Sequence, residues 1–162
     1  MKDSHRTITG ILESSLDSSG FRGSFEVENV TSDEKSGNWQ AELSGDKRRV
    51  RITCDRGQVF LSVSYLSGGT GWMDLMHMNA MLRQEHERES TWEYPKPQGP
   101  SDQEYLVEEL TKLFDLFERS INTIDKYVEE VGADLALSNY RTFAEGRMQS
   151  RLREKSDMEP GH

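Results

Sequence analysis

One cysteine in 162 residues, Cys54, excludes an internal disulfide, and no apolar run approaches the roughly 20 residues needed to cross a bilayer. Metal-ligand spacing is also missing. There is no His-Glu-x-x-His, there are no paired cysteines, and His5, His77, His86 and His162 are scattered along the chain, so neither a metal nor a cofactor is expected. Hydrophobic residues make up only 33%, which confines the core to a few strongly patterned segments. Basic side chains number 20 against 29 acidic ones, a formal charge of −9 that opposes non-specific nucleic-acid binding and suits basic partners or plain solubility. The opening Met1-Lys-Asp-Ser-His5 lacks the apolar core of a signal peptide, so a cytoplasmic location without membrane attachment is expected.

The clearest pattern lies in the middle of the chain. Arg49-Val-Arg-Ile-Thr-Cys54 and Val59-Phe-Leu-Ser-Val-Ser-Tyr65 alternate apolar and polar around the turn residues Asp55-Arg-Gly-Gln58. A slip of one residue would turn a whole strand over, so Ile52 must face Leu61. Trp39, Ala41 and Leu43 extend the same face through a turn near Asp46-Lys47, with Ala41 opposite Ile52. Phe25 and Val27 start a further strand, closed by the polar turn Thr31–Gly37. Cys54, on the apolar face, reads as a small buried hydrophobe.

Helical spacing governs the ends. Ile8, Ile11, Leu12 and Leu16 predict a helix over 4–18 with Gly20 as its stop. Trp72 to Leu82 predicts a short helix with Leu75, Met78 and Leu82 on one side. From the capping pair Ser101 and Glu104 to Gly132, the residues Val107, Leu110, Phe114, Phe117, Ile121, Ile124, Val128 and Val131 recur every three or four positions. A last helix from Ala133 to about Arg153 shows the face Leu137, Tyr140, Phe143, Ala144, Met148 and Leu152. The expected fold is α+β and a single domain over 1–162. Its parts are a helix, four-stranded antiparallel meander and short helix (4–83), a linker or flap (84–100), a helical hairpin packed on the sheet (101–154) and a disordered tail (155–162).

No constellation suggests catalysis. The Ser67-Gly-Gly-Thr-Gly71 loop before a helix lacks the Gly-Lys-Ser/Thr ending of a phosphate cradle. Lys47, Arg48, Arg49 and Arg51 cluster on one hairpin, but Phe60 is the single aromatic beside them, too little for a nucleic-acid platform. Partner binding is better served elsewhere. Gln84 to Pro100 holds three of the four prolines, so Glu85, Glu87, Glu89, Trp92 and Tyr94 sit in a segment with little regular structure of its own. Glu108 and Asp115 belong to an acidic stripe, with Glu104, Glu118, Asp125 and Glu129, beside the apolar seam. The competing reading of that stripe is a solvated face, since Lys112 and Arg119 follow Glu108 and Asp115 by four residues.

The stretch Arg49 to Leu82, above all Asp55-Arg-Gly-Gln-Val-Phe60 followed by Trp72-Met-Asp-Leu75, resembles small bacterial proteins that are similar to immunity proteins of polymorphic toxin systems. The resemblance implies a non-catalytic inhibitor that neutralises a cognate toxin by stoichiometric binding, with no catalytic residue to carry over. The alternative expectation is a secretion-chaperone-like acidic dimer, joined through the long helix, that binds an effector protein.

Overall fold

The computed structural model describes residues 2–21, 23–67, 71–83 and 103–157. In chain order the elements are α1 (Lys2–Asp17), β1 (Glu26–Ser32), β2 (Trp39–Ser44), β3 (Arg48–Asp55), β4 (Gln58–Tyr65), β5 (Met73–Asp74), α2 (Leu75–Leu82), α3 (Gln103–Val131) and α4 (Ala133–Asp157). The sheet is antiparallel in the order β1-β2-β3-β4-β5, so the meander has one strand more than the sequence pattern predicts. Ile52 lies opposite Leu61 and Ala41 opposite Ile52, the parity that keeps one face apolar. Two-residue loops hold that parity. Arg56 and Gly57 both adopt positive φ (53° and 81°), the twist that matches a right-handed hairpin, and Gly45 N donates to Arg48 O (3.1 Å) around Asp46-Lys47.

β1 contains a feature the alternation does not reveal. Val27 and Val30 are three residues apart and would face opposite ways in a regular strand. A register shift between Val27 and Asn29 absorbs one residue, so Val27 lies opposite Leu43 and Val30 opposite Ala41, and both valines pack against the core. Phe25 precedes the strand rather than beginning it, yet its ring still turns inward, 5.7 Å from Phe21 and 6.3 Å from Phe117.

The apolar face of the sheet carries α1 and α3. Ile11, Leu12 and Leu16 of α1 are buried with Leu110, Leu113, Phe114, Phe117, Ile121 and Ile124 of α3, and Phe21 stacks on Phe117 at 4.7 Å. The seam of the long helix is therefore consumed within the chain, except for exposed Val107. At 29 residues α3 is about 44 Å long, enough to pack against α1, β4, α2 and α4 in turn. Gly132 makes the corner. Its φ of +90° suits glycine, its N–H closes α3 on Val128 O (2.8 Å), and its carbonyl accepts from Ala136 N (2.9 Å) to open α4.

Three boundaries and faces differ from the sequence reading. Trp72 to Asp74 are not helical: Met73 and Asp74 pair with Val63 and Ser62, and Asp74 caps α2, its carboxylate accepting from Met76 N (2.9 Å) and His77 N (3.3 Å). The capping residue Ser101 lies outside the described residues. α4 extends through Asp157, so 155–157, expected in a disordered tail, are helical, and 158–162 lie outside the described residues. Its inward line is Ala136, Tyr140 and Arg147, with Leu137 and Ala144 of the expected face partly buried against the core, whereas Met148 (63% exposed) and Leu152 (61%) point to solvent. An arginine in the buried line made the apolar pattern point one residue too far round the helix.

Replacing Phe117 by Ala should cost about 3–5 kcal/mol in urea unfolding, and Val107→Ala less than about 1 kcal/mol. Equal effects at the two positions would show that the seam is not the core.

Candidate functional site

Of the residues expected to bind a partner, Glu85, Glu87, Glu89, Trp92 and Tyr94 lie outside the described residues. Glu108 and Asp115 are exposed on α3. Asp115 accepts from Arg119 Nη2 at 2.6 Å, the expected solvated pair four residues apart. Lys112, however, pairs with Glu109 (3.4 Å) rather than with Glu108. The basic hairpin is neutralised locally. Glu42 receives Arg49 (2.6 Å) and Arg51 (3.5 Å) across the strands, and the Arg51 guanidinium lies 4.1 Å from the centre of the Trp72 ring. Among the described residues no cluster of three His, Cys, Asp or Glu side chains is placed to hold a metal ion, and no helix is long and apolar enough to cross a membrane.

Asp125 does not belong to a solvated stripe. Arg48, at the start of β3, grips its carboxylate with both Nη2 and Nε (Nε–Oδ1 3.2 Å), and the Tyr65 hydroxyl donates to Oδ1 at 2.5 Å. Arg48 and Asp125 side chains are each only 15% exposed. A forked, charge-assisted contact of this kind ties α3 to the end of the sheet and fixes the rotamers of all three groups. Burial raises the Tyr65 pKa above the ordinary tyrosine value, and its bond to Asp125 and that carboxylate's charge push it further up. Tyr65 thus keeps its proton and serves as a donor.

Tyr65 and Asp125 of that cluster line a groove of about 780 Å³. Three separate segments build it: the β2–β3 turn (Asp46, Lys47), the end of β4 (Tyr65, Leu66, Ser67), and the α3–α4 corner from Asp125 to Leu135. Leu66 N donates to Lys47 O (3.1 Å), so the turn positions the leucine. Leu66 is 57% and Leu135 51% exposed, over a floor containing Val128, Val131 and Ala133. Asp46, Asp125, Glu129 and Asp134 line the groove against a single ammonium, Lys47, which reaches Glu129 only loosely at 3.7 Å. With Asp125 engaged by Arg48, the outward-facing negative charge belongs to Asp46, Glu129 and Asp134. Asp134 is also favoured where it stands, in the first turn of α4.

A second polar contact locks α4 onto the sheet edge. Asp74 N donates to the Tyr140 hydroxyl at 2.9 Å. Desolvation, with a smaller contribution from the Asp74 charge, pushes Tyr140 up to about 12 despite that bond.

Neither family models, nor curated proteins, nor solved structures give a match to this chain. Sequence reasoning missed the groove because its members carry no motif and come from three distant stretches. The exposure of Leu66 and Leu135, which marks the groove, follows only from the fold.

Two outcomes follow from these contacts. Asp125→Ala would leave the Arg48 guanidinium buried without its counter-ion and should cost about 3–5 kcal/mol, against about 0.5 kcal/mol or less for Asp115→Ala, as measured by urea unfolding. A tyrosine raised from 10 to about 12 favours the folded state while it stays protonated. Its contribution is present below pH 10 and is lost as pH rises towards 12, by roughly 1.4 kcal/mol per unit. Stability measured from pH 9 to 12 should thus fall less steeply in Tyr140→Phe than in the parent; parallel curves would refute the coupling.

Proposed function

We propose that this chain is a non-catalytic, protein-binding inhibitor of the immunity type, which neutralises a cognate bacterial toxin by stoichiometric binding in the cytoplasm. The observation that carries the reading is the open groove at the α3–α4 corner, where two exposed leucines stand among carboxylates on a rigid frame. Apolar anchors ringed by charge suit recognition of another protein surface. The tyrosine and aspartate in its wall support the same reading, because Tyr65 holds its proton and Asp125 is neutralised by Arg48. That pair is spent on architecture rather than on proton transfer. The resemblance of the middle of the chain to immunity proteins points the same way.

A second reading has its own observation. Met148 and Leu152 are exposed on α4, so an acidic, chaperone-like dimer would form through α4, the seam of α3 being buried already. Purified chain mixed with the product of the gene beside its own should give a one-to-one complex by light scattering and protect cells expressing that product. A complex with two copies of this chain, lost in Met148→Ser with Leu152→Ser, would favour the chaperone reading. If the neighbouring product neither binds nor is neutralised, the inhibitor reading is wrong.

A further inference from the structure

We propose that the groove at the α3–α4 corner receives a basic segment of the protein partner in which an arginine or lysine stands next to an aliphatic or aromatic side chain. This inference rests on the protein-binding reading above and names the chemistry of the segment that reading requires.

The shape selects a polypeptide. A drug-sized ligand needs most of its surface enclosed, yet the walls here are open: Lys47 and Glu129 are more than two-thirds exposed and both leucines more than half. A segment laid across such a groove needs no enclosure, because its own flanks cover the rim. The charges select its sign. Asp46 on the β2–β3 turn and Asp134 on the first turn of α4 come from different walls and have no ion-pair partner among the described residues, while Asp125 is neutralised from behind by Arg48. A cationic side chain entering between them meets unpaired carboxylates, and an anionic one would meet three or more like charges. The floor selects the neighbouring side chain. Leu66 and Leu135 are each more than half exposed and share the groove with the partly exposed Val131, so the chain itself leaves this apolar surface uncovered. Arginine beside a large apolar residue is the pairing that matches both parts.

The test uses the full chain and a fluorescein-labelled dodecapeptide that alternates Arg and Leu with Ser spacers. Control peptides carry Glu for Arg or Ser for Leu. Saturable one-to-one binding of the first peptide is expected. Asp46→Asn with Asp134→Asn should weaken it about tenfold at low salt and much less at high salt, because rim charges are screened. Leu66→Ser with Leu135→Ser should weaken it about tenfold at both. These sites are exposed, so the variants should keep the parent melting temperature. Glu108→Gln with Asp115→Asn, on the outer face of α3, should bind as the parent does. No saturable binding, or binding indifferent to all four groove substitutions, would overturn the inference. So would dimerisation of the parent that Leu66→Ser with Leu135→Ser abolishes, since the groove would then belong to a second copy. If the neighbouring gene product binds the groove variants as tightly as the parent, the groove is not its docking site but the inhibitor reading stands. If the peptide occupies the groove and that product fails to bind, the groove inference stands and the inhibitor reading falls.

Discussion

Everything in this fold depends on one parity. Each hairpin of the central meander closes through a loop that leaves Ala41, Ile52, Leu61 and their neighbours on one side, and only then is there a continuous apolar plane for two helices to cover. The two-residue turn Arg56-Gly57, with both residues at positive φ, is thus as much a core determinant as any leucine. β1 shows the same constraint met by other means. Its valines are wrongly spaced for a regular strand, and an irregularity between Val27 and Asn29 restores them to the buried face.

Polar contacts of long sequence separation then decide where the helices sit on that plane. Apolar burial alone leaves a helix free to slide along a sheet, since one aliphatic neighbour is much like another. The Arg48–Asp125–Tyr65 cluster, the Asn79 amide on the Ser120 hydroxyl (2.9 Å) and the Asp74 amide on the Tyr140 hydroxyl (2.9 Å) each fix one helix at one point. Each has directional partners, and a shift of one helical turn would leave buried polar atoms unpaired. The groove exists because the first of these contacts fixes the corner between α3 and α4 beside the end of the sheet.

What the amino-acid order displays and what it hides follow from the range of each interaction. Strand pairing in β2 to β4 is legible because alternation and short turns are local. The seam of α3 is legible because one helix repeats it for eight turns. β5 is hidden, since two residues carry no period, although Asp74 as a helix cap was there to be read. Asp125 is hidden for a different reason. On a helical wheel it joins Glu118 and Glu129 as part of a solvated stripe, and nothing near it in the chain announces Arg48, 77 residues away. Arg147 hides the inward face of α4 in the same manner, by placing a charged residue where the pattern calls for an apolar one. The groove is the extreme case, because its three segments become neighbours only after the sheet and both long helices are in place.

That discontinuity has a thermodynamic corollary. An unfolded chain presents no version of a surface assembled from Asp46, Leu66 and Leu135, so whatever occupies the groove binds the native state alone. Occupancy and folding are then linked by mass action, and an occupant at a hundred times its dissociation constant adds about 2.7 kcal/mol to the stability of the chain. For a domain whose total margin is on the order of 5–15 kcal/mol, that increment is large enough to set how much of the protein survives proteolysis. The resistance of the isolated chain is in this sense a floor, which any native-state ligand of the groove would raise.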